Sequence, residues 1–191
     1  IDGSGGTSSF ITATNVFAHV HDLYDFLQGV SWALDKKGVF VVEVPYLINL
    51  IRGNEFDTIY HEHFSYFLLA PLMQLFYNNG LPIFRVEQLP IHGGSIRIYA
   101  SKNAYEEDRS VEDMLEYEQM QGFYDHSTYV SFGTKIDGIR SRLNNELTAL
   151  YNSEKKVMGY GASAKGISLL NYCGIQTPYI CSIVDETPDK Q

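Results

Sequence analysis

Hydrophobic and polar positions alternate along the chain in blocks that switch between the two-residue period of strands and the 3.6-residue period of helices. Phe10–Thr14 has strand character and leads into the polar loop Asn15–His21. Leu23, Phe26, Leu27, Val30 and Leu34 then recur at helical spacing behind Asp22 as N-cap, with Lys36, Lys37 and Gly38 as a basic last turn and stop. Val39–Val44 is a near-continuous apolar run of strand length, the pattern of a strand buried on both faces of a parallel sheet, and Pro45 ends it. A short helix is predicted from Pro71 to Gly80, with Leu72, Leu75 and Phe76 inward and Gly80 as C-terminal cap. Leu81–Gln88 and Ser95–Ala100 form a predicted antiparallel pair.

The polar stretch 101–110 breaks this pattern and has the composition of an interdomain linker. Ser110 with Asp113 resembles a capping box. Phe132, Ile136, Ile139, Leu143, Leu147 and Leu150 then mark one buried stripe on a long helix. A further α/β unit opens with strand Lys156–Gly159, a Gly-rich turn, helix Ala164–Tyr172 closed by Gly174, and strand Ile180–Val184 ending in Asp185. The pattern predicts an α/β chain in three parts. Residues 1–100 correspond to the second half of a doubly wound domain with an antiparallel hairpin edge, 101–153 to a linker and helical segment, and 154–191 to the start of a second Rossmann-like domain. Both ends look cut, since each sheet lacks strands. Exposed sheet edges there are expected to favour dimerisation.

With 14 basic and 23 acidic residues the net charge is -9, which disfavours nucleic acid and anionic membranes as partners. No spanning segment or signal peptide is evident, so a cytoplasmic location is expected. Cys173 and Cys181 form neither a disulfide framework nor a cysteine zinc site, and both are expected to be buried. The 14 tyrosines and 11 phenylalanines fit an aromatic-lined pocket or a packed core equally.

Candidate chemistry concentrates in Tyr60-His61-Glu62-His63. If extended, this segment alternates, with His61 and His63 on one side and Tyr60 and Glu62 on the other. Imidazole suits proton abstraction near neutral pH, and a phenol can donate to a developing oxyanion. A metal pair formed by His61 and His63, or an ordinary polar strand edge, are the competing readings. Asn15 and His19, with His21, follow a strand directly, where doubly wound folds place ligands, although capping of the loop or helix explains them as well. Turn chemistry suffices for His92-Gly93-Gly94-Ser95. Gly159-Tyr-Gly161-Ala-Ser-Ala-Lys165-Gly166 lies between a strand and a helix, the context for phosphate binding; a nicotinamide cofactor or a structural turn remain open. Asp2–Gly6 resembles a cofactor loop but lacks the flanking strand and helix, and is expected to be a flexible end.

In this order, six blocks resemble the S-adenosylmethionine-dependent sugar C-methyltransferases, which methylate C-3 of nucleotide-linked 4-keto deoxysugars: Asn15–His19, Val41–Tyr46, Phe56–His63, His92–Arg97, Gly159–Gly166 and Ile183–Gln191. The resemblance implies that His63 is the base removing the C-3 proton and that Tyr60 stabilises the enolate oxygen, with Glu62 and His19 lining the same site. It also implies donor contact at Asn15 and contact with the nucleotide-sugar, expected to be a thymidine diphosphate sugar, at His61, His92, Gly159, Gly161 and Lys165. No metal ligand is assigned in this chain. The family's upstream zinc-binding region and Gly-rich S-adenosylmethionine loop have no counterpart here, so the chain alone is expected to bind the donor poorly. A nicotinamide-dependent oxidoreductase unit around Gly159–Asp185 and a non-catalytic domain derived from a methyltransferase are the alternatives.

Overall fold

The computed structural model describes residues 7–91, 93–103 and 105–188. The chain forms two compact units, residues 1–53 with 62–125, and residues 54–61 with 126–191.

The first unit is built on a four-stranded sheet with order β1-β2-β4-β3. Strands β1 (Ser8–Thr14) and β2 (Leu34–Pro45) are parallel and joined by α1 (Leu23–Ala33), whose N-cap Asp22 accepts the Asp25 N–H at 3.0 Å. β3 (Ile83–Leu89) and β4 (Ser95–Ala100) form the expected hairpin. Its second strand inserts antiparallel between β2 and β3, leaving β3 outermost. Phe40–Val44 are buried without a break, as a strand covered on both faces requires.

Phenylalanines fill the core of this unit. Phe17 after β1, Phe40 of β2 and Phe76 of α3 (Leu69–Asn78) are fully buried, with ring centroids 5.8 Å apart for Phe17–Phe76 and 6.1 Å for Phe40–Phe76. Each buried ring contributes about 1.5–3 kcal/mol. Phe67 joins them at 5.4 Å from Phe17, tying the chain segment that follows His63 into the same core. Gly80, at φ 69°, closes α3 by donating to Tyr77 O at 3.0 Å. A short helix not anticipated from the pattern, α2 (Leu47–Gly53), follows β2; seven residues are too few to display a helical period. α4 (Arg109–Met120) packs against β3.

The second unit contains α5 (His126–Asn152), β5 (Met158–Tyr160), α6 (Ala164–Cys173) and β6 (Ser182–Val184), with β5 and β6 parallel. Its core is Leu147, Cys173 and Ile175, flanked by Leu143, Val157, Leu169, Leu170, Tyr179 and Ile180. Ser163 caps α6 by accepting the Gly166 N–H at 3.1 Å, and Gly174, at φ 68°, ends it as expected. Among the described residues no helix is long and apolar enough to cross a membrane.

Several local expectations are corrected. Lys36, Lys37 and Gly38 do not stop α1, which ends at Ala33; they lie in β2, where the register jumps from Ser8 opposite Leu34 to Phe10 opposite Val39. Gly38 allows this bulge, since a Cβ there would meet Ser8 O and the Leu34 side chain at 2.9 Å. Asp108, not Ser110, caps α4, accepting the Ser110 N–H at 2.8 Å, while the Ser110 hydroxyl accepts from Val86 N. Leu150 lies exposed on the α5 stripe, of which Ile136 and Leu147 are the buried members. Cys181 is exposed, although its thiol reaches Val157 O; only Cys173 is buried.

Candidate active site

The carboxyl ends of β1 and β2 carry the loops of interest. Thr14 lies opposite Glu43, and Asn15 then turns into the left-handed region at φ 56° while its N–H donates to Glu43 O at 3.3 Å. Asparagine tolerates that conformation better than a branched residue would. A 3-10 turn, Phe17–His19, follows, with buried Phe17 as its anchor and His19 left exposed.

Tyr60, His61, Glu62 and His63 do not form a strand. A 3-10 turn over Phe56–Thr58 leads into a bend at Tyr60 and a turn at His61–Glu62, and the first bridge afterwards joins Phe67 to Tyr46. Among the described residues no strand pairs with this segment, so the alternating arrangement of side chains is replaced by a loop. Tyr60 and His61 belong to the second unit, with rings 6.0 Å apart; Glu62 and His63 belong to the first.

In the first unit the segment is fastened to the loop after β1. Phe64 N donates to Ala18 O at 2.9 Å, and the His19 Nδ1 lies 2.9 Å from Glu62 O. A carbonyl only accepts, so Nδ1 carries a proton in this contact, and the lone pair of a neutral His19 imidazole falls on Nε2. The His19 and His63 rings stand 4.8 Å apart at 60°, and Tyr66 meets His63 edge-on at 6.2 Å. His21 packs likewise against Phe64 at 5.4 Å. The structure thus gathers His19, His63 and the Glu62 backbone on one surface with Tyr66, a residue the sequence pattern did not single out. Among the described residues no group of three or more histidine, cysteine or acidic side chains is arranged to hold a metal ion.

Behind this loop is a buried carboxylate. Glu118 of α4 is fully buried and accepts from Tyr46 Oη at 3.0 Å, Leu69 N at 2.5 Å, Ala70 N at 3.2 Å and Tyr124 Oη at 2.8 Å. It caps α3 from outside: Leu68 supplies no side-chain cap, and Pro71 has no N–H to satisfy. Burial first, and the Glu118 charge second, raise the Tyr46 hydroxyl far above the usual phenol range. The signal was present in the spacing, because Glu118 falls seven residues after buried Val111, on the inward face of α4.

Glu43, Arg97 and Glu87 form a second polar group, standing opposite one another across β2, β4 and β3. Arg97 Nε reaches Glu43 Oε1 at 2.6 Å, and the Tyr99 hydroxyl donates to Glu87 Oε2 at 3.0 Å. Hydrogen bonding to Glu43 raises the Arg97 pKa. Gly94, at φ 119°, abuts Asn49, and a Cβ there would come within 1.5 Å of Asn49 Nδ2; the two glycines thus serve a close approach as well as a turn. His92 lies outside the described residues.

In the second unit Gly159 lies in β5 against Ile183, and Gly161, at φ 92°, donates to Val184 O at 2.8 Å. Lys165 is exposed in the first turn of α6. Asp185 Oδ2 accepts from Ala162 N at 2.6 Å and Oδ1 from Thr187 N at 2.8 Å, so the acid at the end of β6 braces the turn itself. A ribose-binding acid of the nicotinamide type needs those oxygens turned to a ligand, which counts against the oxidoreductase alternative.

Comparison with known proteins identifies the family of the chain. Residues 90–191 match the family model described as the C-methyltransferase C-terminal domain. C-methyltransferase NovU of Streptomyces niveus is 39% identical over 188 residues, which is 97% of this chain and 45% of that protein, so the chain spans less than half of the relative's length. Among solved structures, magnesium protoporphyrin IX methyltransferase from Synechocystis PCC 6803 with bound SAH superposes at TM-score 0.42 and 13% identity, over 52% of this chain and 47% of that one. A Haloferax volcanii methyltransferase complex with the Trm112 activator gives TM-score 0.42 and 13% identity, over 51% and 55%. Overlaps that small carry no functional weight. The family match and the extent of the identity to NovU together show that this chain belongs to the C-methyltransferase family defined by that C-terminal domain.

Proposed function

We propose that the chain serves S-adenosylmethionine-dependent C-methylation of a nucleotide-linked 4-keto deoxysugar, at the carbon next to the ketone. The observation that carries this reading is the oriented imidazole pair: His19 is held through Nδ1 by Glu62 O and stands beside His63 at the carboxyl end of β1. Two adjacent imidazoles, one with its tautomer set by the backbone, suit a proton-transfer site better than a structural loop.

The ketone acidifies the C-3 proton. His63 takes that proton, Tyr60 donates a hydrogen bond to the enolate oxygen, and the C-3 carbon attacks the sulfonium methyl with release of S-adenosylhomocysteine. The bound donor supplies the methyl group. Asn15, at the carboxyl end of β1 and turned left-handed, fits a contact to that donor, because doubly wound sheets bind ligands at such strand ends. Glu62 and His61 flank the reacting sugar, and His92 is assigned a contact with it. Gly159, Gly161 and Lys165, at the opening of the ten-residue α6, suit the diphosphate, which the helix N-terminus and the lysine attract together.

The test is transfer of a labelled methyl group to a thymidine diphosphate 4-keto sugar by the complete protein. His63→Asn should lower kcat about 10²–10⁴-fold without abolishing sugar-nucleotide binding. Full turnover by a folded His63→Asn variant would overturn the assignment.

A further inference from the structure

The geometry points to Tyr172 as a positioning residue for Tyr60, so that the unit proposed to hold the nucleotide-sugar also sets the phenol that meets its enolate. This rests on the role proposed above for Tyr60.

Tyr172 sits one residue before the end of α6, the helix that begins at the Gly-rich turn. Ten helical residues span about 15 Å, so this helix links the turn to a place well away from it. There the Tyr172 ring lies 5.1 Å from the Phe56 ring, tilted by 56°. Two residues of α5 also hold it: Asp137 Oδ1 accepts from the hydroxyl at 2.9 Å, and the Arg140 guanidinium carbon stands 5.9 Å from the ring centroid. α5 and α6 are themselves joined by Asn144 Nδ2 donating to Cys173 O at 2.8 Å.

Phe56 opens the 3-10 turn that precedes Tyr60. Thr58 N donates to Glu55 O at 3.1 Å, Thr58 Oγ1 to the same oxygen at 2.6 Å, and Ile59 N to Phe56 O at 3.0 Å. Only Ile59 separates this closed turn from Tyr60. The backbone leading to the phenol has little freedom once Phe56 is seated, and Tyr172 seats it. Segment 54–61 is thereby kept with α5 and α6 although it lies in sequence between two stretches of the first unit. A side chain that serves only the packing of this unit would lower stability; one that positions Tyr60 acts on turnover through that phenol.

The experiment is a double-mutant cycle in the complete protein, with methyl transfer and sugar-nucleotide binding as readouts and thermal unfolding as the folding control. Tyr172→Ala should lower kcat by about 10-fold or more, since small misplacements of reacting groups cost up to about 10²-fold, while the KM for the sugar nucleotide stays within about twofold. Tyr172→Phe keeps the ring against Phe56 and should retain most of the turnover. In a Tyr60→Phe background Tyr172→Ala should cost nothing further, because the group it positions is gone. Should Tyr172→Ala fail to fold, Phe56→Leu takes its place in the same cycle. Losses that multiply independently of Tyr60, or a raised KM with kcat intact, would overturn the inference. Full turnover in Tyr60→Phe itself strikes at the role of Tyr60, whereas a damaged Tyr60→Phe beside a fully active Tyr172→Ala removes the positioning role alone.

Discussion

Replacing Glu118 by alanine removes one acceptor group on which four donors converge. Two of them, Tyr46 Oη and Leu69 N, make their bonds in a buried setting, and each orphaned donor there costs about 1–3 kcal/mol. Ala70 N and Tyr124 Oη are only partly buried, so water recovers much of their loss. The sum is about 2–6 kcal/mol, against a total stability of about 5–15 kcal/mol for an ordinary domain. Glu118→Gln keeps one acceptor oxygen and turns an amide toward the remaining donors. A hydroxyl can rotate to accept from that amide, but a backbone N–H cannot, so the cost is about 1–3 kcal/mol. Urea unfolding followed by far-ultraviolet circular dichroism measures both. The loop carrying His63 ends at Leu68, where Glu118 grips α3, so hydrogen exchange over 62–68 should also accelerate in Glu118→Ala. A loss below about 1 kcal/mol in Glu118→Ala would refute the claim that this carboxylate caps α3, because the penalty for buried orphaned donors alone exceeds it.

Two further outcomes follow from the same region. Gly94→Ala combines a φ of 119° with a Cβ inside the Asn49 amide and should destabilise by about 2–3 kcal/mol; adding Asn49→Ala relieves the clash but not the backbone strain, so thermal unfolding should show partial recovery. Tyr46, whose hydroxyl is raised by burial and by Glu118, keeps its proton in the folded state where the unfolded chain loses its own above roughly pH 10. The unfolded state then binds fewer protons, so the stability from this group is fully present below that pH and declines as pH rises beyond it. Tyr46→Phe should flatten the decline in an alkaline titration of unfolding; an identical slope in both proteins would contradict it.

Much of the fold was legible because local pattern and tertiary packing agree. Asp22, the apolar face of α1, the unbroken Phe40–Val44 run and the Gly80 and Gly174 caps each carry their structural meaning in a few adjacent residues. Misreadings arose where a distant partner decides. Leu34 has helical spacing yet opens β2, because its pairing with Ser8 and the bulge through Gly38 depend on β1. Tyr60–His63 alternates on paper, but a strand needs a ladder and none is offered among the described residues. Glu118 stands on the inward face of α4 in the sequence, while its four donors come from three other places in the chain and could not be read from spacing. Of the candidate site, the residue types and His19 as a strand-end residue were legible; the bond from His19 to Glu62 O, which orders the pair, was not.

The central claim is that His63 takes a proton from the sugar, a step that precedes methyl transfer and does not consume the donor. Its most direct test is solvent exchange at C-3 of a thymidine diphosphate 4-keto sugar in deuterium oxide with S-adenosylhomocysteine in the donor site, followed by NMR. Wild-type protein should wash deuterium into C-3, and His63→Asn should slow the exchange about 10²-fold or more with sugar-nucleotide binding retained. Equal exchange rates in the two folded, substrate-saturated proteins would contradict the account.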